Sequence, residues 1–408
     1  MQLKGQHFWQ SSLEKPMKIK AFSQEKGIVT CFELEEIPEG EKIKELILPS
    51  FLNLHCHLEL GFLRGKLDRN KSFPEWVGQL RKHSEHREVE DYKYSVFQGV
   101  KDSLASGVST LLDVGNSEAN LKYAKYSPVR IFSALELIGL DPNKLEGLKI
   151  RAEAAMKEFE VGTESKSEIG VSAHAPFSCS KELIEYVNQK NNKSKFPNTI
   201  HLSESIEEKQ VFDSGNGKLA RFLNFIYPEW SFNEAKKAGF ENSIEYMLEN
   251  DLIERGSILV HVNHSSSSQL KKLKELDCTI VHCPASREFF GHQKPDFLAW
   301  KNAGLNICLG TDSLASNESL SMWKELKLLT ETSEYSFREA FEMATLNGSK
   351  ALNKKEFGVF EKDNYCDFQK ISFESDCDKD SCLVAIEKQS FRVVETVVAG
   401  ITRWLRPL

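Results

Sequence analysis

Two histidines one residue apart, His55-Cys56-His57, close the apolar run LILPSFLNLHCH. Residues i and i+2 of a strand share a face, so both imidazoles can point the same way and grip one metal ion. Four further apolar runs end in the same chemical types. IGVSAHAP reaches His174, NTIHLSES carries His201 and Glu204, SILVHVNH carries His261 and His264, and NICLGTDS ends in Asp312. A single histidine reads most simply as a hydrogen-bonded core or surface residue; five run ends with matching imidazoles and carboxylates read as one constellation. A divalent ion held by such groups with an open position lowers the pKa of bound water to about 7, and a nearby carboxylate can move a proton. The chemistry implied is metal-assisted hydrolysis.

These side chains need elements that bring them to one place. Eight short apolar runs can be followed along the chain: the one ending at His57, then 107–115, 129–139, 169–176, 198–205, 257–264, 278–284 and 306–313. Between them lie segments with apolar residues at helical spacing, such as DYKYSVFQGVKDSLASG and SSQLKKLKELD. Near-continuous apolar strands alternating with helices predict a parallel sheet covered by helices. Eight such units favour a closed (β/α)8 TIM-type barrel of the α/β class over an open sheet, and no GxGxxG follows the first strand. In such a barrel the reactive groups project from the C-terminal ends of the strands, where the polar residues fall here. The stretch 206–256 is long for a connection and predicts inserted helices over the barrel mouth. Residues 1–48 and the C-terminal stretches CLVAIE and FRVVETVVAGITRWL read as strands. A small β-sandwich-like domain built from both termini, 1–48 with 357–408, is expected to flank a barrel spanning 49–356.

The chain has 408 residues, 40% hydrophobic and 28% charged, values of an ordinary globular protein. With 53 Lys plus Arg against 60 Asp plus Glu its net charge is −7, which disfavours a broad basic surface for nucleic acid or anionic membrane. Nine cysteines without a CxxC pair argue against structural zinc knuckles, and several lie in apolar runs where a free thiol behaves as a small buried hydrophobe. That suits a reducing compartment. Neither an export signal nor a run of about 18 apolar residues is evident, so a cytoplasmic location is expected.

The motifs PSFLNLHCHLE (49–59), HLSES (201–205), HVNH (261–264), VHCPAS (281–286) and LGTDSLASN (309–317) together resemble the amidohydrolase superfamily, in its deaminase and chlorohydrolase branch. The likeness runs over essentially the whole chain. It implies that His55, His57, His201 and Asp312 ligate one divalent metal. Three imidazoles and a carboxylate suit zinc or iron(II) better than magnesium or calcium. Two-metal relatives use a lysine at the end of the fourth strand, absent from IGVSAHAP, so one metal is expected. Asp312 would also accept the proton of the attacking water, Glu204 would protonate a ring nitrogen of the substrate, and His261 would orient the water or stabilise developing charge. The implied activity is hydrolytic deamination of an amino-heterocycle, foremost an adenine-type nucleoside. Iminohydrolysis of a formimino compound, dechlorination of a triazine, or a non-catalytic scaffold on the same fold are the alternatives. Nucleic-acid-editing deaminases carry a different zinc pattern, HxE with PCxxC.

The seventh connection departs from the family pattern, reading SREFFGH from Ser286 to His292. Arg287 there could recognise a carboxylate or phosphate bidentately, and Phe289 and Phe290 could stack on a heteroaryl ring. This variant is similar to that of amidohydrolases assigned to 6-amino-6-deoxyfutalosine, which carries both an adenine and a benzoate. His174 either contacts substrate or packs. Glu59 either reaches substrate or pairs with a neighbour such as Arg64. Trp76, in the long first loop, either walls the pocket or packs. His264 could back the site or cap its loop, and His282, inside an apolar strand, is read as structural. The expected partner is a small-molecule substrate, and a homodimer is the base-rate expectation for barrels of this kind.

Overall fold

A computed structural model of the chain describes residues 1–124, 126–160, 167–228 and 237–406. Its strands, in chain order, are β1 (His7–Phe8), β2 (Met17–Glu25), β3 (Ile28–Glu35), β4 (Ile43–Pro49), β5 (Phe51–His57), β6 (Val108–Gly115), β7 (Arg130–Leu137) and β8 (Glu168–Ala173). They continue with β9 (Thr199–Leu202), β10 (Ile258–His261), β11 (Thr279–His282), β12 (Asn306–Leu309), β13 (Asp312–Ser313), β14 (Phe368–Cys377), β15 (Phe391–Val398) and β16 (Ile401–Leu405).

Strands β5 to β12 coincide with the eight apolar runs, and every neighbouring pair within their two arcs is parallel. One arc runs β13-β5-β6-β7-β8 and the other β12-β11-β10-β9. Backbone hydrogen bonds close both gaps: His201 N–H donates to the His174 carbonyl, and Thr311 N–H to that of His55, each at 3.0 Å. At the second junction the chains approach too closely for a side chain. A Cβ on Gly310 would lie 2.8 Å from the Cβ of His55.

The barrel interior is apolar below its mouth. Leu52, Leu112, Phe132, Val260, Val281 and Cys308, from six of the strands, lie in one buried cluster. Filling of this kind makes the barrel a packed core and confines polar chemistry to the strand ends. In β5 the register against β6 shifts between Asn53 and Cys56. The extra residue of such a bulge re-aims the side chains that follow, so the face that carries Leu52 and Leu54 hands over to His55 and His57.

Among the described residues, the long connection after β9 holds three helices, Ile206–Ser214, Gly217–Ile226 and Ser243–Glu249. The connection after β5 is helical too: a 3-10 turn, Leu58–Leu63, precedes the helix Phe73–Ser84. Ser72 and Glu75 cap that helix reciprocally and Pro74 enters its first turn, a standard start signal.

The seven strands from the two ends form one sheet, ordered β16-β15-β14-β4-β1-β2-β3. It curls until its far edge returns to the chain before β14: Val29 N–H donates to the Asn364 carbonyl at 2.9 Å and Cys366 N–H to that of Gly27 at 2.8 Å. The curl encloses Phe8, Ile19, Ile47, Phe360 and Phe368. One expectation is overturned here, because CLVAIE is the helix Cys382–Glu387 and not a strand. The Asp378 carboxylate accepts from the backbone of Asp380 and Ser381, starting a turn, and Cys382 and Ile386, four residues apart, are buried together. The following apolar stretch is a hairpin, β15 and β16, turning at Ala399-Gly400, both with positive φ.

All nine cysteines are free. Among the described residues no helix is long and apolar enough to cross a membrane.

Candidate metal centre and active site

Strands β5, β9, β10 and the turn into β13 deliver their polar residues to one end of the barrel. The Nε2 atom of His201 lies 3.2 Å from that of His55 and 3.3 Å from that of His57. Asp312 Oδ1 lies 3.7 Å from His55 Nε2 and 3.6 Å from His57 Nε2. All four side chains are buried or nearly so. Two of the four are held from behind. His201 Nδ1 sits 2.7 Å from the His174 carbonyl, so that nitrogen carries the proton and Nε2 presents a lone pair. Ser286 and Ser316 both donate their hydroxyls to Asp312 Oδ2, leaving Oδ1 toward the imidazoles.

This donor set fits a divalent metal. Nitrogens about 2.0–2.1 Å from a tetrahedral ion stand about 3.3 Å apart, the spacing seen between His201 and its two neighbours. Burial, reinforced by the other imidazoles, lowers the pKa of His55 to about 4 and that of His57 well below its ordinary value. Burial thus disfavours the cationic form of these two rings, whose Nε2 atoms crowd one point with that of His201, an arrangement that a cation relieves. Burial works against ionisation of Asp312, yet the imidazoles of His55, His57 and His261 hold it well below the usual carboxylate range. It is a carboxylate at neutral pH, as a ligand must be.

Glu204 stands beside this cluster. Its Oε1 is 3.6 Å from His261 Nε2 and 3.5 Å from His292 Nε2. Burial pushes its pKa up, but the two imidazoles outweigh burial and bring it to about 2. The backbone N–H groups of Ser203 and Glu204 donate to the buried carboxylate of Glu208, at 2.9 and 2.8 Å, which pins the segment. Ser203, His261, Val262 and Asp312 all adopt positive φ, an uncommon conformation for residues with side chains. Strain of this kind collects where side-chain direction matters more than backbone comfort.

A cavity of about 420 Å³ opens over the cluster, and His57, His174, His201, Glu204, His261 and Asp312 line it. His174 Nδ1 lies 2.6 Å from the Ser178 hydroxyl, which donates to the Ala175 carbonyl; the ring therefore donates through Nδ1 and presents Nε2 as an acceptor. Burial, helped by His201, lowers its pKa to about 3. Glu59 also reaches the cavity, held by the backbone N–H groups of Asn116 and Ser117 at 2.8 Å each, while Arg64 pairs with Asp102 instead. Trp76 and Phe290 pack edge to face at 5.4 Å on the wall, and the Trp76 indole donates to the Ala315 carbonyl.

The remaining expected residues lie elsewhere. Arg287 and Phe289 are not among the cavity-lining residues. Both belong to the helix Pro284–Phe290, where the Arg287 guanidinium turns back to the His292 carbonyl and the Glu288 carboxylate. Phe289 packs with Leu63 and Leu67 under Arg69. His282 lies between Phe297 and Trp300, buried. The His264 carbonyl accepts from Ser203 and Asn242, so its backbone ties loops together.

Three residues that the sequence did not single out belong to the constellation. His292 stacks on Phe290 at 5.0 Å while facing Glu204. Glu136, at the end of β7, stands 3.8 Å from His201 Nδ1, with its pKa raised by burial to about 7. Ser178 sets the His174 tautomer. Glu136 carried a signal, a carboxylate near the end of an apolar strand; His292 carried none beyond following the SREFF segment.

Over residues 46–224 and 226–402 the sequence matches the amidohydrolase family. An adenosine deaminase of Helicobacter pylori is 26% identical over 345 residues, covering 83% of this chain and 82% of the relative. A 5-methylthioadenosine/S-adenosylhomocysteine deaminase of Pyrococcus furiosus is 27% identical over 340 residues, covering 80% and 75%. Among solved structures, the Helicobacter pylori aminofutalosine deaminase in complex with methylthio-coformycin superposes with a TM-score of 0.82 at 22% identity, covering 98% of each chain. A match over almost the whole barrel, joined to imidazoles and a carboxylate converging at its mouth, makes this chain a member of the amidohydrolase family.

Proposed function

We propose that the chain is a metal-dependent hydrolytic deaminase of an adenine-type nucleoside, with 6-amino-6-deoxyfutalosine as a candidate substrate. The observation that carries this reading is the placement of Glu204, a carboxylate that shares the cavity with the imidazole cluster yet stands clear of it, facing His261 and His292. The names of the relatives, deaminases of adenine nucleosides, support the substrate class.

His55, His57, His201 and Asp312 would hold one ion, and their nitrogen-rich donor set favours zinc, with iron(II) as the second choice. When bound, such an ion acts as a Lewis acid and makes water a nucleophile at neutral pH. The protein's own residues then divide the proton traffic. Asp312 takes a proton from the attacking water as oxygen adds to the ring carbon bearing the amino group, and it returns that proton to the departing amine. Glu204 delivers a proton, drawn from His292 or His261 beside it, to the adjacent ring nitrogen, where it stays in the product, and takes up the proton of the added hydroxyl as the carbonyl forms. His261 holds the water in line for attack, and the His174 Nε2 lone pair accepts from a hydroxyl or amino group of the substrate. The net change is water in and ammonia out. Nine free cysteines suit a reducing compartment, and we place this activity in the cytoplasm.

The test is ammonia release by zinc- or iron-loaded enzyme with adenosine, 5′-methylthioadenosine, 5′-deoxyadenosine and 6-amino-6-deoxyfutalosine, against formimino amino acids and a chlorotriazine. Turnover of at least one adenine nucleoside is expected. Turnover confined to the formimino or triazine compounds would overturn the reading.

A further inference from the structure

Resting on the deaminase reading, we infer that Arg81 selects nucleosides whose 5′ substituent ends in a carboxylate. The helix Phe73–Ser84 forms one wall of the cavity, to which it turns Phe73, Trp76, Val77, Leu80, Arg81 and Ser84. That spacing is a single stripe along the helix. Near its start the stripe meets the reaction centre, because Trp76 bonds to the Ala315 carbonyl, three residues past Asp312, and packs on Phe290. Arg81 lies five residues on, about 7–8 Å along the axis at 1.5 Å per residue.

The charges of the cavity make Arg81 distinctive. Among the described residues it is the one Lys or Arg lining a cavity that also carries Glu59, Glu136, Glu204 and Asp312. The other arginines on this side are engaged: Arg64 with Asp102, Arg69 with Glu318, and Arg87 with Asp91. Arg81 has no ion-pair or hydrogen-bond partner among the described residues and is exposed at the mouth. A free guanidinium at the end of an aromatic and aliphatic wall fits a ligand that is flat at one end, apolar in its middle and anionic at its tip. Four acidic side chains share the lining, so a singly charged tip is repelled less than a doubly charged one, which points to a carboxylate rather than a phosphate. The aromatic stripe would hold the apolar middle, and the role sought in Arg287 passes to Arg81.

A matched pair of nucleosides tests this: 5′-S-(3-carboxypropyl)-5′-thioadenosine and its neutral counterpart of equal length, 5′-S-butyl-5′-thioadenosine. Hydrogen bonds to a charged group are worth a factor of about 10 to 100. The wild-type protein is expected to prefer the carboxylate, and Arg81→Gln to raise KM for that compound by about 10- to 100-fold. Its kcat, and both constants for the butyl compound, should stay within about twofold. Equal treatment of the pair by the wild type, or equal losses for both in Arg81→Gln, would overturn the assignment. Equilibrium binding of the same pair separates the two ideas: a preference for the carboxylate without ammonia release from any adenine nucleoside defeats the deaminase reading alone, whereas equal affinities defeat the role of Arg81.

Discussion

Glu204 faces His261 and His292 but stands outside the imidazole cluster that would hold the ion, so its replacement probes chemistry apart from metal binding. General acid–base groups contribute about 10² to 10⁴ in rate. Glu204→Gln should therefore lower kcat at least about a hundredfold while metal content, measured by elemental analysis, stays at the wild-type level. Asp312→Asn should lower both, since that carboxylate stands against two of the imidazoles. Near-normal turnover in fully loaded Glu204→Gln would remove this residue from the mechanism. At this scale the sequence was legible where a strand end dictates direction: apolar runs that stop in polar residues put His55, His57, His201 and Asp312 at strand ends, while their choice as one ligand set rests on the resemblance to amidohydrolases. It was illegible where a helix intervenes. His292 reaches Glu204 only because Pro284–Phe290 coils and ends at Gly291, whose positive φ closes the helix and turns the chain. The same coil folds the Arg287 guanidinium onto its own segment, which no motif discloses.

Helices do more here than cover strands, because buried carboxylates on two of them hold the loops of the mouth. On the helix Met322–Thr332, Glu325 accepts from the Ala285 backbone at 2.9 Å and from the Asn317 side chain at 2.7 Å, joining the connections after β11 and β13. Burial raises its pKa to about 8 from an ordinary 4.5. Between these values the folded protein keeps a proton that the unfolded chain has released, so this contribution to stability is full below pH of about 4.5 and is lost as pH rises toward 8. The Glu325→Gln variant is neutral throughout. Urea midpoints taken between pH of about 5 and 8 should thus fall for the wild type relative to the variant, and parallel curves would contradict a raised pKa. The alternation of apolar runs with amphipathic segments made the barrel's elements readable, since helix and strand bury at different periods. CLVAIE escaped that logic because six residues are too few to separate the periods. Its helix is set by the turn at Asp378.

On the scale of the whole molecule, the barrel and the sheet from the two ends are tied by a buried charge pair. Arg130 opens β7 and Asp367 precedes β14; both side chains are 4% exposed, and the guanidinium lies between the rings of Phe357 and Tyr365 at 4.8 and 4.2 Å. Asp367 also accepts from the Ala399 backbone at 2.7 Å. Removing one partner of such a pair strands the other charge in low dielectric, at a cost of about 3–5 kcal/mol. Arg130→Ala should lose that much in denaturant titration while kcat measured well below the melting point changes little, because the pair lies away from the cavity. The metal acts on the same global equilibrium. Chelation should lower Tm and zinc restore it, an ion at a hundred times its Kd being worth about 2.7 kcal/mol. An unmoved Tm after verified metal removal would mean that the imidazole cluster is stable without its ion.

The register of the curled sheet also sets a schedule for biosynthesis. Strand β4 pairs with β14 from Pro49 against Phe368 onward, so its partner leaves the ribosome 319 residues later (368 − 49). At about 5–20 residues per second that interval is roughly 15–60 s. Throughout it β4, covalently continuous with β5 through Ser50, presents an unpaired edge bearing Ile43, Leu46 and Leu48. The first histidines of the imidazole cluster are therefore made within ten residues of a segment that waits for a distant partner, and a nascent chain stalled before residue 368 should be the aggregation-prone species that recruits chaperones.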